Sequence, residues 1–278
     1  MKHQDGFFSN QENQSIYYQN WLPDESTRAV LLIVHGLNEH CGRYQHLAEY
    51  FTDKSFAVYG LDQIGHGKSE GTRAYLNSFS EFTDTLLEYI KMIKEWQPGL
   101  PIFLLGHSLG GLIGAKFLID YPHQVEGAIL SGSLVLIPEN ISPLTIRIGK
   151  IVANIFPKLG LAGVDPYGLS RDPDVVQAYI DDPLVYSGKA TTILSVKINE
   201  TMEKIASQGK QINQPLLILH GGVDPIVPPA SSQFLYDLVS STDKKLIFYD
   251  DFYHEIYNEP GHEEVFEDIL SWLQNRLT

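Results

Sequence analysis

A serine stands between glycines in the stretch Gly106-His107-Ser108-Leu109-Gly110. A hydrophobic run ends directly before this stretch, and an apolar segment with helical spacing begins directly after it. A serine on such a strand-to-helix turn has a strained backbone and an outward-facing hydroxyl, and small neighbours are needed because a Cβ there would clash. The five-residue pattern alone is weak, but this context predicts that Ser108 is a nucleophile.

An acid and a base are needed to activate such a serine. The base must lie within hydrogen-bond reach of the hydroxyl, and a carboxylate must fix its tautomer. On this architecture the chain order is serine, then acid, then histidine. Asp224 follows the apolar run 216–219, and His254 follows the run 246–249. We therefore predict Asp224 as the acid and His254 as the base.

Other histidines and aspartates fit the roles of base and acid less well, judged by their order in the chain and by the sequence around them. Among the ten histidines, His3 is terminal and His262 begins the last helical segment, where we interpret it as solvated or capping. Asp250 and Asp251 are alternative candidates for the acid, but the side chains of residues so near His254 in sequence, at the end of a strand, rarely point toward it. The histidines set aside because they precede the proposed acid are His35, His40, His46, His66, His107, His123 and His220. Of these, His107 is interpreted as packing the turn.

Acyl transfer also needs preorganised N–H donors, because negative charge develops on the carbonyl oxygen. One donor should be the backbone N–H of Leu109, directly after the nucleophile. The second should come from the loop after the first buried run, which reads His35-Gly36-Leu37-Asn38-Glu39-His40. We predict the N–H of Leu37 as this second oxyanion donor.

Short apolar runs alternate with segments of helical spacing along most of the chain. This alternation predicts an α/β fold with a mostly parallel sheet covered on both faces, and 7–21 could add an antiparallel hairpin at its edge. The predicted strands are 29–34, 56–61, 102–105, 127–130, 216–219 and 246–249, and the predicted helices are 43–54, 79–96, 109–121, 231–239 and 263–277.

The alternation stops between about 134 and 205, a proline-rich piece that is small for independent stability. We expect an insertion that folds over the carboxyl ends of the strands, where active sites lie in parallel sheets. The predicted organisation is a core in two parts, 1–133 and 206–278, with a cap insertion at 134–205.

Composition excludes several classes of partner and cofactor. The 278 residues include 20 basic and 34 acidic side chains, a formal net charge of −14, which repels nucleic acid and anionic bilayers. Cys41 is the one cysteine, so no intramolecular disulfide can form, and no Cys/His cluster suggests a metal or organic cofactor. The N-terminus lacks the apolar run of a signal peptide, and we expect a cytoplasmic protein of undetermined oligomeric state, with secretion as the alternative that a single cysteine leaves open.

Further motifs lie in order between about 28 and 272. They are His35-Gly36 with Glu39-His40 and Gly42-Arg43-Tyr44, Asp62 with Gly65-His66-Gly67-Lys68-Ser69-Glu70-Gly71, Gly106-His107-Ser108-Leu109-Gly110-Gly111, Leu169-Ser170-Arg171 and Asp182-Pro183-Leu184. As a set they closely resemble the monoacylglycerol lipase and lysophospholipase family of the α/β-hydrolase superfamily.

The resemblance implies an eight-stranded, mostly parallel sheet with a cap between its sixth and seventh strands. It implies Ser108, Asp224 and His254 as the triad and Leu37 and Leu109 as oxyanion donors, in agreement with the argument above. It also implies that Glu39 and Arg43 lie near the glycerol end of a substrate; the alternative is an ion pair that braces the loop. Leu37 and Asn38 depart from the small residues that are common in this loop, which bears on head-group preference.

A helical stripe of apolar residues lies in the cap, and basic residues flank it. The stripe is Leu144, Ile148, Ile151, Val152 and Ile155, and the single acid in 134–163 is Glu139, against Arg147, Lys150 and Lys158. Since most apolar stripes are core, we expect burial against the body of the fold and an acyl tunnel. The alternative is transient contact with a membrane surface, which would make the protein peripheral.

Together these observations predict a serine hydrolase that cleaves carboxylic esters of glycerol and fatty acids through an acyl-serine intermediate, without a cofactor. A broad-specificity carboxylesterase and a lysophospholipase stay open, as do an acyltransferase, an aminopeptidase and a non-catalytic binding protein. Dehalogenases and epoxide hydrolases are excluded because the turn carries serine instead of aspartate.

Overall fold

A computed structural model describes residues 1–136 and 143–277 of the chain. The strands are β1 (Lys2–Ser9), β2 (Ser15–Leu22), β3 (Ala29–Val34), β4 (Phe56–Leu61), β5 (Ile102–His107), β6 (Gly127–Ser131), β7 (Gly160–Ala162), β8 (Ala190–Thr191), β9 (Leu216–Gly221) and β10 (Lys244–Tyr249). The α-helices are α1 (Gln45–Thr52), α2 (Ser80–Trp96), α3 (Leu109–Asp120), α4 (Pro143–Ile155), α5 (Pro173–Asp181), α6 (Thr192–Gln208), α7 (Ala230–Leu238) and α8 (Glu263–Gln274).

Eight of these strands form one sheet in the order β1-β2-β4-β3-β5-β6-β9-β10. The pairs from β4 through β10 are parallel, while β1 and β2 form an antiparallel hairpin that joins the sheet along β4. The predicted α/β sheet and its edge hairpin are therefore confirmed. β7 and β8 pair separately.

The central strands are hydrophobic throughout because both of their faces are covered. In β3, Val30, Leu32 and Val34 pack into one buried cluster with side chains of α2, α3, α6 and α7. The alternate residues Leu31 and Ile33 pack into a second cluster with α1 and α8. Successive side chains of a strand point to opposite faces, so a continuous apolar run is what such a buried parallel strand requires.

The segment between β6 and β9 carries α4, β7, α5, β8 and α6. The division into 1–133, 134–205 and 206–278 stays a prediction. α6 continues past residue 205, and its Leu194, Ile198 and Met202 belong to the main core cluster. The end of the inserted segment is thus packed into the body of the fold.

The apolar stripe of α4 is exposed. Leu144, Ile148, Ile151 and Ile155 are 65%, 51%, 55% and 63% accessible, whereas Ala153 on the same helix is buried. The expected burial was wrong for these four residues, whereas Val152, the fifth residue of the stripe, is half-buried. Glu139, which entered the charge comparison, lies outside the described residues. None of the helices in the described ranges has the length and hydropathy of a membrane span.

Candidate active site

Ser108 occupies the bend between β5 and α3 with φ 55° and ψ −115°. A positive φ is costly for a residue with a Cβ, so the surrounding packing must hold this conformation. The neighbouring glycines are required by close approach. A Cβ on Gly106 would lie 2.4 Å from the Gly110 carbonyl oxygen, and one on Gly110 would lie 1.9 Å from that of Val34. The glycines predicted to flank the turn are therefore explained by contacts between backbones.

Four loops meet at one edge of the sheet because β3, β5, β9 and β10 are parallel and end there. They carry Leu37, Ser108, Asp224 and His254 respectively. Ser108, Leu37 and His254 line one cavity of about 250 Å³. Leu109 follows Ser108 directly as the first residue of α3. The predicted triad and oxyanion residues are thus brought together, and their roles stay predictions.

Asp224 and His254 form a short contact. His254 Nδ1 lies 2.6 Å from Asp224 Oδ2 and donates to it, since an ionised carboxylate can only accept. This leaves the Nε2 of His254 available for its predicted role as the base. The other carboxylate oxygen, Oδ1, accepts from the backbone N–H groups of Ile226 and Val227 at 2.8 and 2.9 Å. These bonds fix the direction of the carboxylate.

A second histidine, His220, contacts the same acid. Its Nε2 lies 3.1 Å from Asp224 Oδ2 and 2.9 Å from the Val227 carbonyl, so both neighbours are acceptors and Nε2 carries a proton. Its Nδ1 lies 2.6 Å from Ser232 Oγ. Burial raises the pKa of Asp224, but hydrogen bonds from His220 and His254 outweigh burial and hold that pKa well below its usual range. Asp224 is therefore ionised throughout the neutral range.

Sequence reasoning missed His220 because this histidine was set aside as a base on chain order and was given no other role. The signal that could have found it is the spacing of His220 and Asp224, four residues apart across the end of one strand. A turn of that length brings the two side chains together.

The loop after β3 is held by Glu39. Its Oε1 accepts from the Gly36 N–H at 2.6 Å and from the Tyr44 hydroxyl at 2.9 Å. Its Oε2 accepts from Arg43 at 2.9 Å. Arg43 also makes a bidentate pair with Glu255, at 2.6 and 2.8 Å. Both acids are buried. This network joins the loop that carries the predicted oxyanion donor Leu37 (the oxyanion loop) to the residue directly after His254.

These contacts favour the bracing alternative for Glu39 and Arg43. Arg43 has its guanidinium occupied by two carboxylates and lies 4.8 Å from the centroid of the Tyr179 ring. Burial raises the pKa of Glu255, but the positive charge of Arg43 outweighs it and lowers that pKa. The acid therefore stays ionised beside the catalytic cavity.

Two buried histidines support the site as neutral residues. His35 donates through Nδ1 to the Gly36 carbonyl at 2.8 Å and accepts from the Gln63 N–H at Nε2, also at 2.8 Å. His107 packs against His254, with ring centroids 4.7 Å apart. The pKa of each is lowered to about 4, mainly by burial, and for His107 the neighbouring His254 contributes to this lowering. Both histidines are therefore neutral near pH 7.

The cavity is lined mostly by apolar side chains. The segment between β6 and β9 and the loop after β9 supply most of them, and Glu39, His254 and Glu255 are charged or polar residues of the same lining. The apolar residues are Leu134, Ala162, Val164, Leu169, Ile226 and Val227. Such a cavity suits an ester with an apolar acyl chain and a small polar head.

Comparison with known proteins agrees with this geometry. A protein-family model described as serine aminopeptidase, S33, matches residues 25–261. A monoacylglycerol lipase of Mycolicibacterium smegmatis is 35% identical over 262 residues, which cover 94% of each chain. The human monoglyceride lipase is 30% identical over 270 residues, covering 96% of this chain and 89% of the relative. The crystal structure of a Paleococcus ferrophilus monoacylglycerol lipase aligns with a TM-score of 0.83 and 33% identity, covering 93% of this chain and 98% of that one.

Proposed function

Because this chain belongs to the monoacylglycerol lipase and lysophospholipase family of α/β-hydrolases, we propose that it hydrolyses monoacylglycerols through an acyl-enzyme on Ser108. It is a carboxylic ester hydrolase. The observation that carries the proposal is the Asp224–His254 contact of 2.6 Å beside the cavity that Ser108 lines.

In the proposed mechanism, His254 removes the proton from the Ser108 hydroxyl as its oxygen attacks the ester carbonyl. Asp224 keeps the proton of His254 on Nδ1 and stabilises the imidazolium that forms. The N–H groups of Leu37 and Leu109 bind the oxyanion. The alcohol then leaves with the proton held by His254, and water hydrolyses the acyl-serine by the reverse order of proton transfers. These steps require no cofactor.

The name of the matched family model raises an aminopeptidase as a second activity. An aminopeptidase needs an acceptor for the substrate's α-ammonium group. Among the described residues that line the cavity, the carboxylates are Glu39 and Glu255, and both are already paired with Arg43. This pairing favours an uncharged ester over an aminoacyl substrate.

A substrate panel tests the proposal. It compares monoacylglycerols of several chain lengths with lysophosphatidylcholine, p-nitrophenyl esters and proline p-nitroanilide. We expect the highest kcat/KM for a monoacylglycerol. Faster cleavage of the anilide would replace the lipase proposal with a peptidase. Transfer of the acyl group to added alcohols in preference to water would replace it with an acyltransferase.

We further propose that Glu39 and Arg43 act by bracing the oxyanion loop, without contacting glycerol. Glu39→Gln removes the charge that holds Arg43 and the Gly36 N–H. We expect kcat to fall about 10- to 100-fold, equally for a monoacylglycerol and a p-nitrophenyl ester, since a hydrogen bond to a charged group contributes about 1.5–3 kcal/mol. Steady-state kinetics on both substrates checks this.

Glu49→Gln is the matched control, since Glu49 is an exposed acid on α1 that pairs only with Gln45 in the described hydrogen bonds. A loss confined to the monoacylglycerol, seen in its KM, would instead mean that Glu39 binds the glycerol end directly.

We also propose that the exposed face of α4 docks on a neutral lipid surface. Its large apolar side chains are more than half accessible, and Phe156, Leu159 and Leu161 continue the patch. Leu161 directly precedes Ala162, which lines the cavity that Ser108 also lines, so the patch adjoins that cavity along the chain. The net charge of −14 argues against anionic bilayers, so a zwitterionic surface is the expected partner.

The double variant Ile148→Ser/Ile151→Ser should weaken binding to phosphatidylcholine vesicles about tenfold or more, because each side chain loses on the order of 1–2 kcal/mol of apolar burial. Co-sedimentation, with Ser108→Ala present to prevent turnover, measures it. Phe7→Ser, which removes a similarly exposed side chain from β1, is the matched control. Equal binding by all three proteins, or no binding by the parent, would refute docking through α4.

A further inference from the structure

Two histidines converge on one carboxylate oxygen, the Oδ2 of Asp224. His254 reaches it from the loop after β10 at 2.6 Å, and His220 reaches it from the end of β9 at 3.1 Å. His254 lines the same cavity as Ser108. His220 instead contacts Ser232 on α7, with its Nδ1 2.6 Å from the Ser232 hydroxyl. The acid is thus shared between the predicted catalytic residues and a second serine–histidine pair, formed by Ser232 and His220.

This second serine–histidine pair has no access to a substrate. His220 and Ser232 are each 0% accessible, and neither is among the described residues that line the catalytic cavity. A buried serine cannot attack an ester, and a buried imidazole cannot exchange protons with one. Any influence of the pair on the reaction must therefore pass through Asp224.

The contacts of His220 define where its proton lies. Its Nε2 faces two acceptors, Asp224 Oδ2 and the Val227 carbonyl, so Nε2 carries the proton. Its Nδ1 can then accept the proton of the Ser232 hydroxyl, which makes no other side-chain hydrogen bond in the described part of the chain. Ser232 therefore holds His220 in the tautomer that donates to Asp224.

A second donor on Oδ2 changes what the carboxylate offers to His254. An N–H group that points at a carboxylate stabilises its negative charge, and a carboxylate whose charge is shared among donors stabilises a neighbouring imidazolium less. The two backbone donors of Asp224 bind the other oxygen, Oδ1. His220 is thus the described donor that competes with His254 for the same oxygen.

We propose that His220 is a positioning residue for ester hydrolysis, which acts through Asp224 to orient His254 and to set the lowest pH at which the enzyme works. This inference rests on the proposed function and gives a role in it to a residue outside the triad. Removal of the His220 N–H leaves Oδ2 to His254 alone. The imidazolium of His254 is then held more strongly, and its deprotonation requires a higher pH.

The other ionisable groups around His254 stay in place when residue 220 is changed. The ring of His107 packs against His254, and the cavity lining that contains His254 also contains two acids paired with Arg43. These acids are Glu39 and Glu255. The described contacts of His220 are with Asp224, Val227, Ser232 and the ring of Phe248. A substitution there changes the charge around His254 only through Asp224.

The test measures kcat/KM against pH for His220→Leu, with p-nitrophenyl butyrate and a monoacylglycerol as substrates. The acid limb of this profile reports deprotonation of the base in the free enzyme. We expect the limb to move to higher pH by about 0.5 unit or more. We also expect kcat at the optimum to fall about three- to tenfold on both substrates, because one of the bonds that orient Asp224 is lost. His220→Gln, whose amide can donate to Oδ2, should restore the acid limb of the parent.

His46→Leu is the matched control. His46, on α1, also places its Nε2 against a backbone carbonyl, that of Tyr257 at 2.9 Å, and makes no contact with Asp224 in the described hydrogen bonds. It should keep the acid limb of the parent. A slower His220→Leu whose acid limb has not moved, or an equal shift in His46→Leu, would overturn the inference and leave His220 with a purely structural role.

A measurement on the parent protein covers the case in which His220→Leu does not fold. In ¹⁵N NMR of histidine-labelled protein, His220 should carry its proton on Nε2; a bare Nε2 would refute the donor and with it the inference. Hydrolysis of p-nitrophenyl butyrate and labelling by a fluorophosphonate report separately on the proposed function. Absence of both in the parent would refute that function, whereas their presence with an unmoved acid limb would refute the role of His220 alone.

Discussion

Ser108→Ala should lower kcat for monoacylglycerol hydrolysis by about 10⁶-fold, to the level that binding and the oxyanion donors can provide without a nucleophile. The hydroxyl is the only group of the proposed triad that forms a bond to the acyl carbon, so no neighbouring side chain can replace it. The variant should also lose labelling by a fluorophosphonate, which reacts with the same oxygen. Turnover and labelling together check the expectation.

Ser133→Ala is the control for this result. Ser133 is a buried serine beside the same bend, where a Cβ on Gly111 would lie 2.2 Å from its Oγ. It should keep both turnover and labelling. Burst-phase acylation retained in Ser108→Ala would disprove the assignment of the nucleophile.

The strained backbone at Ser108 allows a second measurement, the stability of variants at this residue. A φ of 55° stores on the order of 1–3 kcal/mol in any residue with a Cβ, and glycine releases it. Ser108→Gly should therefore be inactive and more resistant to urea than Ser108→Ala. The opposite order of stability would indicate that the bend is not strained.

Asp224→Asn should lower kcat by about 10⁴-fold, because the amide cannot fix His254 with its proton on Nδ1. The contacts here make the substitution especially unfavourable. One carboxylate oxygen faces the ring N–H groups of His254 and His220, and the other faces two backbone N–H groups. In either orientation of the asparagine amide, its NH₂ group faces N–H donors and cannot accept hydrogen bonds from them. We therefore also expect a loss of about 1–3 kcal/mol in the free energy of unfolding.

Asp250→Asn is the matched control, because this exposed acid lies at the end of β10 and is the rival from the sequence. It should keep nearly full activity. Rates and urea unfolding on both variants decide the assignment. If Asp250→Asn were the inactive variant and Asp224→Asn the active one, the acid would have to be reassigned.

Part of this site could be predicted because the residue patterns that indicate it lie within short stretches of the sequence. A nucleophilic turn requires glycines around Ser108, and parallel strands end at one edge of the sheet. Apolar runs therefore located the ends from which Asp224 and His254 extend. The same reasoning gave the sheet and its hairpin, since hydrophobic runs and their spacing follow from burial within one element.

Other features depend on contacts between distant segments. His220 contacts Asp224 only because a turn folds back, and Glu39 is linked through Arg43 to Glu255, which lies more than 200 residues from Arg43 along the chain. Spacing could not decide whether Arg43 would meet a substrate or a second carboxylate. Periodicity correctly marked the apolar face of α4, but it could not tell whether that face is covered.

The amino-acid sequence by itself determined the fold class and predicted the groups that would attack an ester, because turn chemistry and strand patterning are properties of neighbouring residues. The tertiary structure alone decided which carboxylates are already paired, which apolar face meets solvent and which histidines reach Asp224. The physical reason is that burial and charge pairing depend on the segments that surround a side chain, which its own sequence neighbourhood does not specify.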